Sequence, residues 1–143
     1  MKKINIIYWS GTGNTEAMAK AIAEGAKGDE TEVKLINVGE ASVDDVINAD
    51  AVALGCPSMG QEVLEEAEME PFVESIESKV QGKKMALFGS YGWGDGEWMR
   101  NWVERMEGAG ADLIEDEGLM ANNEPNDEDI QKCKEVGQML AKA

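Results

Sequence analysis

Two short stretches, Ala51–Gly55 (AVALG) and 85–89 (MALFG), contain nothing but apolar residues and glycine. A strand with one wet face alternates polar with apolar, and these do not, so each reads as a strand of a parallel sheet covered on both sides. Such a sheet needs helices above and below it. The rest of the chain supplies them in alternation. Ile4, Ile6, Ile7, Tyr8 and Trp9 form a first β-favouring run, and Ala17, Met18, Ala21, Ile22 and Gly25 then recur at helical spacing. Val33, Leu35, Ile36 and Val38 make a second strand. Ser42-Val43-Asp44-Asp45 resembles a capping box and opens a short helix through Ala49. Residues 71–80 read as helix, with Pro71 in the first turn and Phe72, Val73, Ile76 and Val80 on one face. Helix is predicted again over 98–106, then a strand in two pieces, 112–115 and 119–121, broken by Gly118. The final helix covers 127–142, with Ile130, Cys133, Gly137 and Leu140 as its inner stripe. Strand and helix alternate five times without repeats or a linker, which predicts a single doubly wound α/β domain over 1–143. Right-handed crossovers bring the loops after the strands to one edge, where such sheets bind ligands.

A chain of 143 residues can build one good core and is too short for two. Its formal charge of -16 repels nucleic acid and anionic membranes, and makes a basic partner protein the natural complement. No segment is long enough to cross a membrane. Met1-Lys2-Lys3 before the isoleucines has the outline of a signal peptide, but Asn5 and Ser10 interrupt a run already too short for one. Cys56 and Cys133 make neither a disulfide framework nor a zinc spacing, so the cytosol is the expected compartment and both thiols are expected to be buried and structural. The chain contains no histidine, which removes the commonest general base, the usual triads and most transition-metal sites. Chemistry must come from a bound cofactor or from carboxylates.

Three unusual loops follow the strands. In Ser10-Gly11-Thr12-Gly13-Asn14-Thr15 every side chain is absent, a short hydroxyl or an amide, so N–H groups and a helix N-terminus can converge on one small anion. Phosphate fits that description. The nearest base on the following helix is Lys20, so hydrogen bonds and the helix dipole must do the neutralising. The spacing suits neither a Walker loop nor the dinucleotide G-x-G-x-x-G. In Ser90-Tyr91-Gly92-Trp93-Gly94-Asp95-Gly96 an indole stands among glycines, free to stack on something flat, whereas Trp98 and Trp102, four apart on a helix, fit core packing. The middle loop, 56–66, offers Met59, a soft side chain suited to lying on an aromatic ring. A phosphate site with two such walls suggests a phosphorylated aromatic cofactor.

Three motifs, Trp9-Ser10-Gly11-Thr12-Gly13-Asn14-Thr15, Met59-Gly60-x-Glu62 and Gly89-Ser90-Tyr91-Gly92-Trp93-Gly94, occur in order and at fitting intervals. They resemble the FMN-binding loops of the flavodoxin family, and the likeness covers essentially the whole chain, closest to the short-chain members of anaerobic bacteria. The resemblance implies a five-stranded sheet of order 2-1-3-4-5 with FMN at the switch point; that order comes with the family and not from these residues. It implies that Ser10, Thr12, Gly13, Asn14 and Thr15 hold the phosphate, with Gly11 among the cofactor-binding residues, and that Pro57 and Ser58 line the ribityl chain. Met59 would cover the inner flavin face and Trp93 the outer. Glu62 would accept from flavin N3–H, while backbone groups around Gly92 face the pyrimidine edge, in a loop whose cofactor-binding residues run from Ser90 to Gly94. Tyr91 either touches the flavin or braces its loop. The resemblance implies that the Gly60 carbonyl rotates on reduction to accept from flavin N5–H; if that flipped Met59-Gly60-Gln61-Glu62 turn is type II′, Gly60 supplies the positive φ, whereas the rotated-back type I′ turn asks positive φ of Gln61 as well.

The implied function is a low-potential one-electron carrier cycling FMN between semiquinone and hydroquinone, a cytoplasmic monomer serving redox partners with basic docking surfaces. Glu62, Glu65, Glu66, Glu68 and Glu70 crowd beside the expected site and would oppose the second electron; a solvated, charge-rich face is the commoner reading of such a run, and both can hold together. The rival within the same fold is an FMN-dependent NAD(P)H or quinone reductase, against which stands the lack of an evident nicotinamide-binding segment. A receiver-type signalling domain would need a phosphoryl-accepting Asp at the strand ends, and the first strand instead ends in Tyr8-Trp9-Ser10.

Overall fold

The computed structural model of the chain describes residues 1–115 and 117–143. Its elements run β1 (Lys2–Tyr8), α1 (Asn14–Ala26), β2 (Thr31–Asn37), α2 (Val43–Ile47), β3 (Ala51–Gly55), α3 (Met69–Ile76), β4 (Lys84–Tyr91), α4 (Glu97–Gly108), β5 (Asp112–Leu113), β6 (Leu119–Asn122) and α5 (Asp127–Lys142). The sheet order is β2-β1-β3-β4-β5, and β6 also pairs with β4. All these pairings are parallel. β5 meets the start of β4 (Lys84↔Asp112) and β6 its end (Phe88↔Leu119), so the two pieces share one sheet position, the interrupted strand that Gly118 foretells.

Side-chain alternation along the strands sorts the core into two layers, one on each face of the sheet. Ile4, Ile6, Ala51, Ala53, Ala86 and Phe88 face α1 and α5, where Met18, Ile22, Cys133 and Leu140 close over them. Ile7, Val52, Leu54, Met85 and Leu87 face α3 and α4, against Phe72, Ile76, Trp98, Trp102 and Met106. The alanines on the first face let α1 and α5 come close. At Gly137 a Cβ would stand 2.1 Å from the Ile22 carbonyl oxygen, and at Gly25 one would stand 2.0 Å from that of Lys134. Val136 joins the buried stripe of α5 while Ile130 is only half-buried, a shift of the stripe by part of a turn from its expected line.

Several boundaries move, each for a visible reason. β4 extends through Ser90 and Tyr91, because β6 offers Ala121 and Asn122 as partners there. α3 begins at Met69 rather than at 71, and its last turn tightens into a 3-10 segment, Glu77–Lys79. Val38 leaves β2 for a 3-10 turn, Val38–Glu40, whose first residues Asn37 caps by accepting from Gly39 N–H at 3.0 Å. α2 ends at Ile47, and at its start the Asp45 carboxylate accepts Ser42 N–H at 2.8 Å.

Candidate cofactor site

The C-terminal ends of β1, β3 and β4 lie side by side, and the three loops meet over them. After β1 the chain turns through Gly13, whose φ of 98° suits glycine, with nothing within 4 Å of where a Cβ would stand. Ser10 Oγ then accepts Gly13 N–H at 3.1 Å and Glu16 N–H at 3.3 Å, stitching the loop to the helix. Helix geometry leaves the first amides of α1 without intrahelical partners, and with Glu16 taken by Ser10 the N–H groups of Asn14 and Thr15 remain. They sit at the positive end of the α1 dipole.

The Thr15 side chain points elsewhere. Its hydroxyl is buried, 3.0 Å from Ser90 Oγ, and accepts Ser90 N–H at 3.3 Å. Ser58 N–H donates to the Ser90 carbonyl at 2.9 Å, so Ser90 ties the first loop to the middle one.

A cleft of about 260 Å³ opens over these strand ends, lined by Trp9, Gly11, Thr12, Asn14, Pro57, Ser58, Met59, Ser90, Tyr91, Gly92 and Asn123. Ser10, Gly13 and Thr15 lie behind this lining, as supports. Trp93 and Gly94 stand outside it on the exposed third loop, where Trp93 is 62% exposed. Asn123 is absent from the residues the sequence picks out, and Trp9, though inside the first motif, is given no role there. Trp9 packs its ring within 3.1 Å of the Cβ position of Gly11. Asn123, at φ 58°, arrives from the far end of β6 and donates its N–H to the Tyr91 carbonyl at 2.8 Å. Tyr91 does both jobs considered for it: it lines the cleft and braces Trp98, ring centroids 5.6 Å apart.

The middle loop departs from the expected four-residue turn. Met59 and Val63 exchange both N–H···O bonds, each 2.9 Å, leaving Gly60, Gln61 and Glu62 as a three-residue tip. Gly60 has the expected positive φ, 50°, and Gln61 does not share it; the second positive value, 57°, falls on Glu62. That position strains a residue with a Cβ by about 1–2 kcal/mol, and it is held because Glu62 is anchored. Its buried carboxylate accepts Gly96 N–H at 3.2 Å and Glu97 N–H at 3.1 Å, both on Oε1, at the N-terminus of α4. Among the described residues no donor bonds Oε2.

Glu65 is likewise no part of a solvated acidic face. Its carboxylate is buried and takes three backbone N–H groups before and at the start of α3. Burial pushes its pKa up, and the bonds from Met69, Glu68 and Ala67 outweigh it, leaving the group below the ordinary carboxylate range. Burial also pushes the thiols of Cys56 and Cys133 up to about 12, as expected of structural cysteines. Among the described residues no cluster of potential metal ligands forms, and no helix is long and apolar enough to cross a membrane.

Comparison with known proteins gives the arrangement its context. The flavodoxin family model matches residues 6–137. The chain is 53% identical to a flavodoxin of Clostridium beijerinckii over 138 residues, 96% of this chain and 99% of that protein. It is 47% identical to the flavodoxin of Megasphaera elsdenii over 140 residues, 98% of this chain and 99% of the other. This chain belongs to the flavodoxin family. The solution structure of two-electron reduced Megasphaera elsdenii flavodoxin superposes with a TM-score of 0.87 at 48% identity, covering 98% of this chain and 99% of that one. Both relatives are short-chain flavodoxins of anaerobes, as the motifs suggest.

The cofactor of a flavodoxin is FMN and its role is electron transport between redox proteins, not catalysis on a substrate, so the reductase reading is not favoured. The residues present fit FMN. Two unclaimed amides at a helix N-terminus suit a phosphate, and the same cleft continues to Met59 and Tyr91, which suit a flat ring.

Proposed function

We propose that FMN binds in the cleft with its phosphate on the first amides of α1 and its ring system between Met59 and Trp93, and that the chain passes single electrons to and from partner proteins. The observation that carries this reading is the continuity of one cleft from the helix N-terminus at Asn14 to the walls at Met59 and Tyr91. Bound FMN supplies the one-electron redox chemistry. The protein's own residues bind, orient and shield it. Ser10 and Gly13 shape the anion loop, while Thr12, Asn14 and Thr15 present donors to the phosphate. Pro57 and Ser58 flank the ribityl chain. Glu62, anchored through Oε1, keeps Oε2 to accept the flavin N3–H, and the Gly92 backbone faces the pyrimidine edge.

The partners in this reading carry basic surfaces, because the chain's charge of -16 attracts them and speeds encounter at low salt. The 143 residues act as one FMN-binding domain, a monomer in the cytoplasm. An anaerobic reductive titration followed by visible absorption tests the reading. A yellow protein taking up two electrons in separate one-electron steps supports it. Uptake in a single two-electron step, or rapid bleaching by NADPH alone, favours a reductase, and a colourless protein that FMN fails to reconstitute overturns the site.

A further inference from the structure

Glu65 and Glu66 are neighbours in an acidic run and look interchangeable in the sequence. In the structure they are not. Glu66 is exposed, whereas Glu65 is 8% exposed and its carboxylate accepts N–H from Ala67 on Oε2 at 2.9 Å and from Glu68 and Met69 on Oε1 at 2.7 and 3.0 Å. These amides open α3, and the Glu65 carbonyl accepts a further one from Glu70 at 2.9 Å. The backbone N–H of Glu65 donates to Cys56 Sγ at 3.3 Å. Cys56, directly after β3, is itself fixed: its carbonyl accepts the Trp98 indole N–H at 3.1 Å, and its thiol donates to the Pro57 carbonyl at 3.4 Å.

Residues 57–64 therefore form a loop that leaves the end of β3 at Cys56 and comes back against the Cys56 side chain at Glu65. The loop is shut at its base by that Sγ bond and at its tip by the Met59–Val63 pair. Its two buried carboxylates each grip a helix N-terminus, Glu62 that of α4 and Glu65 that of α3.

We propose that Glu65 is a positioning residue for the cofactor loop: by anchoring its base to α3 it sets where Met59 and Glu62 stand, and it does not act on the cofactor as a free charge. This rests on the assignment of residues 57–62 to the FMN site. The charge of Glu65 is offset on the spot by three N–H dipoles and a helix N-terminus. That of Glu66 is left to water and salt. A glutamine at position 65 presents an NH2 group where an N–H already points, so the anchor opens although shape and size are kept.

Salt separates the two mechanisms. Glu65→Gln and Glu66→Gln remove the same charge at adjacent positions, and each is compared with wild type for the FMN dissociation constant and the first one-electron potential, at low and high salt. Amide hydrogen exchange at Met59 and Val63 is followed in the apoprotein. The expected result for Glu65→Gln is faster exchange at Met59 and Val63, about tenfold weaker FMN binding and a potential shift that survives high salt. Glu66→Gln is expected to leave exchange and affinity alone, with any potential shift disappearing in salt. If Glu65→Gln fails to fold, Cys56→Ala, which removes the acceptor at the loop base, carries the same expectation. Unchanged exchange at Met59 and Val63, or a shift screened as that of Glu66→Gln is, overturns the proposal. Met59→Ala distinguishes the underlying assignment. If it leaves affinity and visible spectrum unchanged, the site reading has failed; if it weakens binding while Glu65→Gln does not, the role of Glu65 alone has failed.

Discussion

Thr15 Oγ1 and Ser90 Oγ lie 3.0 Å apart although 75 positions separate them, and the same Thr15 oxygen accepts Ser90 N–H. The loop after β1 and the end of β4 thus share one buried oxygen. Thr15→Val keeps the shape and deletes it, leaving the Ser90 N–H without its acceptor. Leaving a buried polar group unpaired costs about 1–3 kcal/mol. We expect that loss in urea unfolding of the apoprotein, with Thr15→Ser near wild type. A Thr15→Val loss no larger than that of Thr15→Ser would remove the buried hydroxyl from the account.

The crossing of α1 and α5 rests on two glycines that meet carbonyls, not side chains: Gly137 over the Ile22 oxygen and Gly25 over that of Lys134. Backbone has no rotamer to move aside, so Gly137→Ala is expected to cost at least the 1–3 kcal/mol typical of overpacking. Thermal unfolding measures it. Gly108→Ala is the control, because nothing lies within 4 Å of its Cβ position.

These two pairs mark what can be read from a sequence. The buried strands announce themselves by uninterrupted apolar residues, and the Ser10–Thr15 loop by side chains too small to cover the backbone. Even Gly137 falls on its helix stripe by spacing. What faces it does not, because the Ile22 carbonyl reaches it only through tertiary packing. Glu62 and Glu65 look like members of one acidic patch because charge is visible in sequence, whereas the helix N-termini that consume it come from later elements. Trp9 sits inside the first motif and could have been taken with it. Asn123 is harder: it enters the cleft only because β6 pairs with the last residues of β4, a register no local pattern specifies.

The lowered pKa of Glu65 gives stability a sign against pH. In the unfolded chain a glutamate titrates near about 4.3, and in the folded protein it titrates lower, so between the two the unfolded state binds more protons. The stabilisation is complete above the unfolded value and is lost as pH falls through the folded one. Denaturant unfolding of wild type and Glu65→Gln at a series of pH values should show a gap that is constant near neutrality and narrows below about pH 4.3. A gap independent of pH would mean that Glu65 titrates alike in both states.

Trp93 and Trp98 lie five positions apart and should answer opposite questions. Trp98 is 1% exposed, braced by Tyr91 and bonded to the Cys56 carbonyl, so Trp98→Ala should cost about 3–5 kcal/mol of folding stability. Trp93 is 62% exposed between glycines. Trp93→Ala should therefore leave apoprotein stability within about 0.5 kcal/mol of wild type. Its effect should fall on the cofactor. An aromatic stack contributes about 0.5–1.5 kcal/mol beyond buried area, which corresponds to an FMN dissociation constant at least about two- to tenfold higher. Trp93→Phe should recover most of it, since a flat ring remains. Fluorescence titration of the apoprotein with FMN measures all three proteins under one set of conditions. If Trp93→Ala binds FMN as wild type does, the outer wall of the site lies elsewhere, and Tyr91, already in the cleft lining, becomes the residue to replace next.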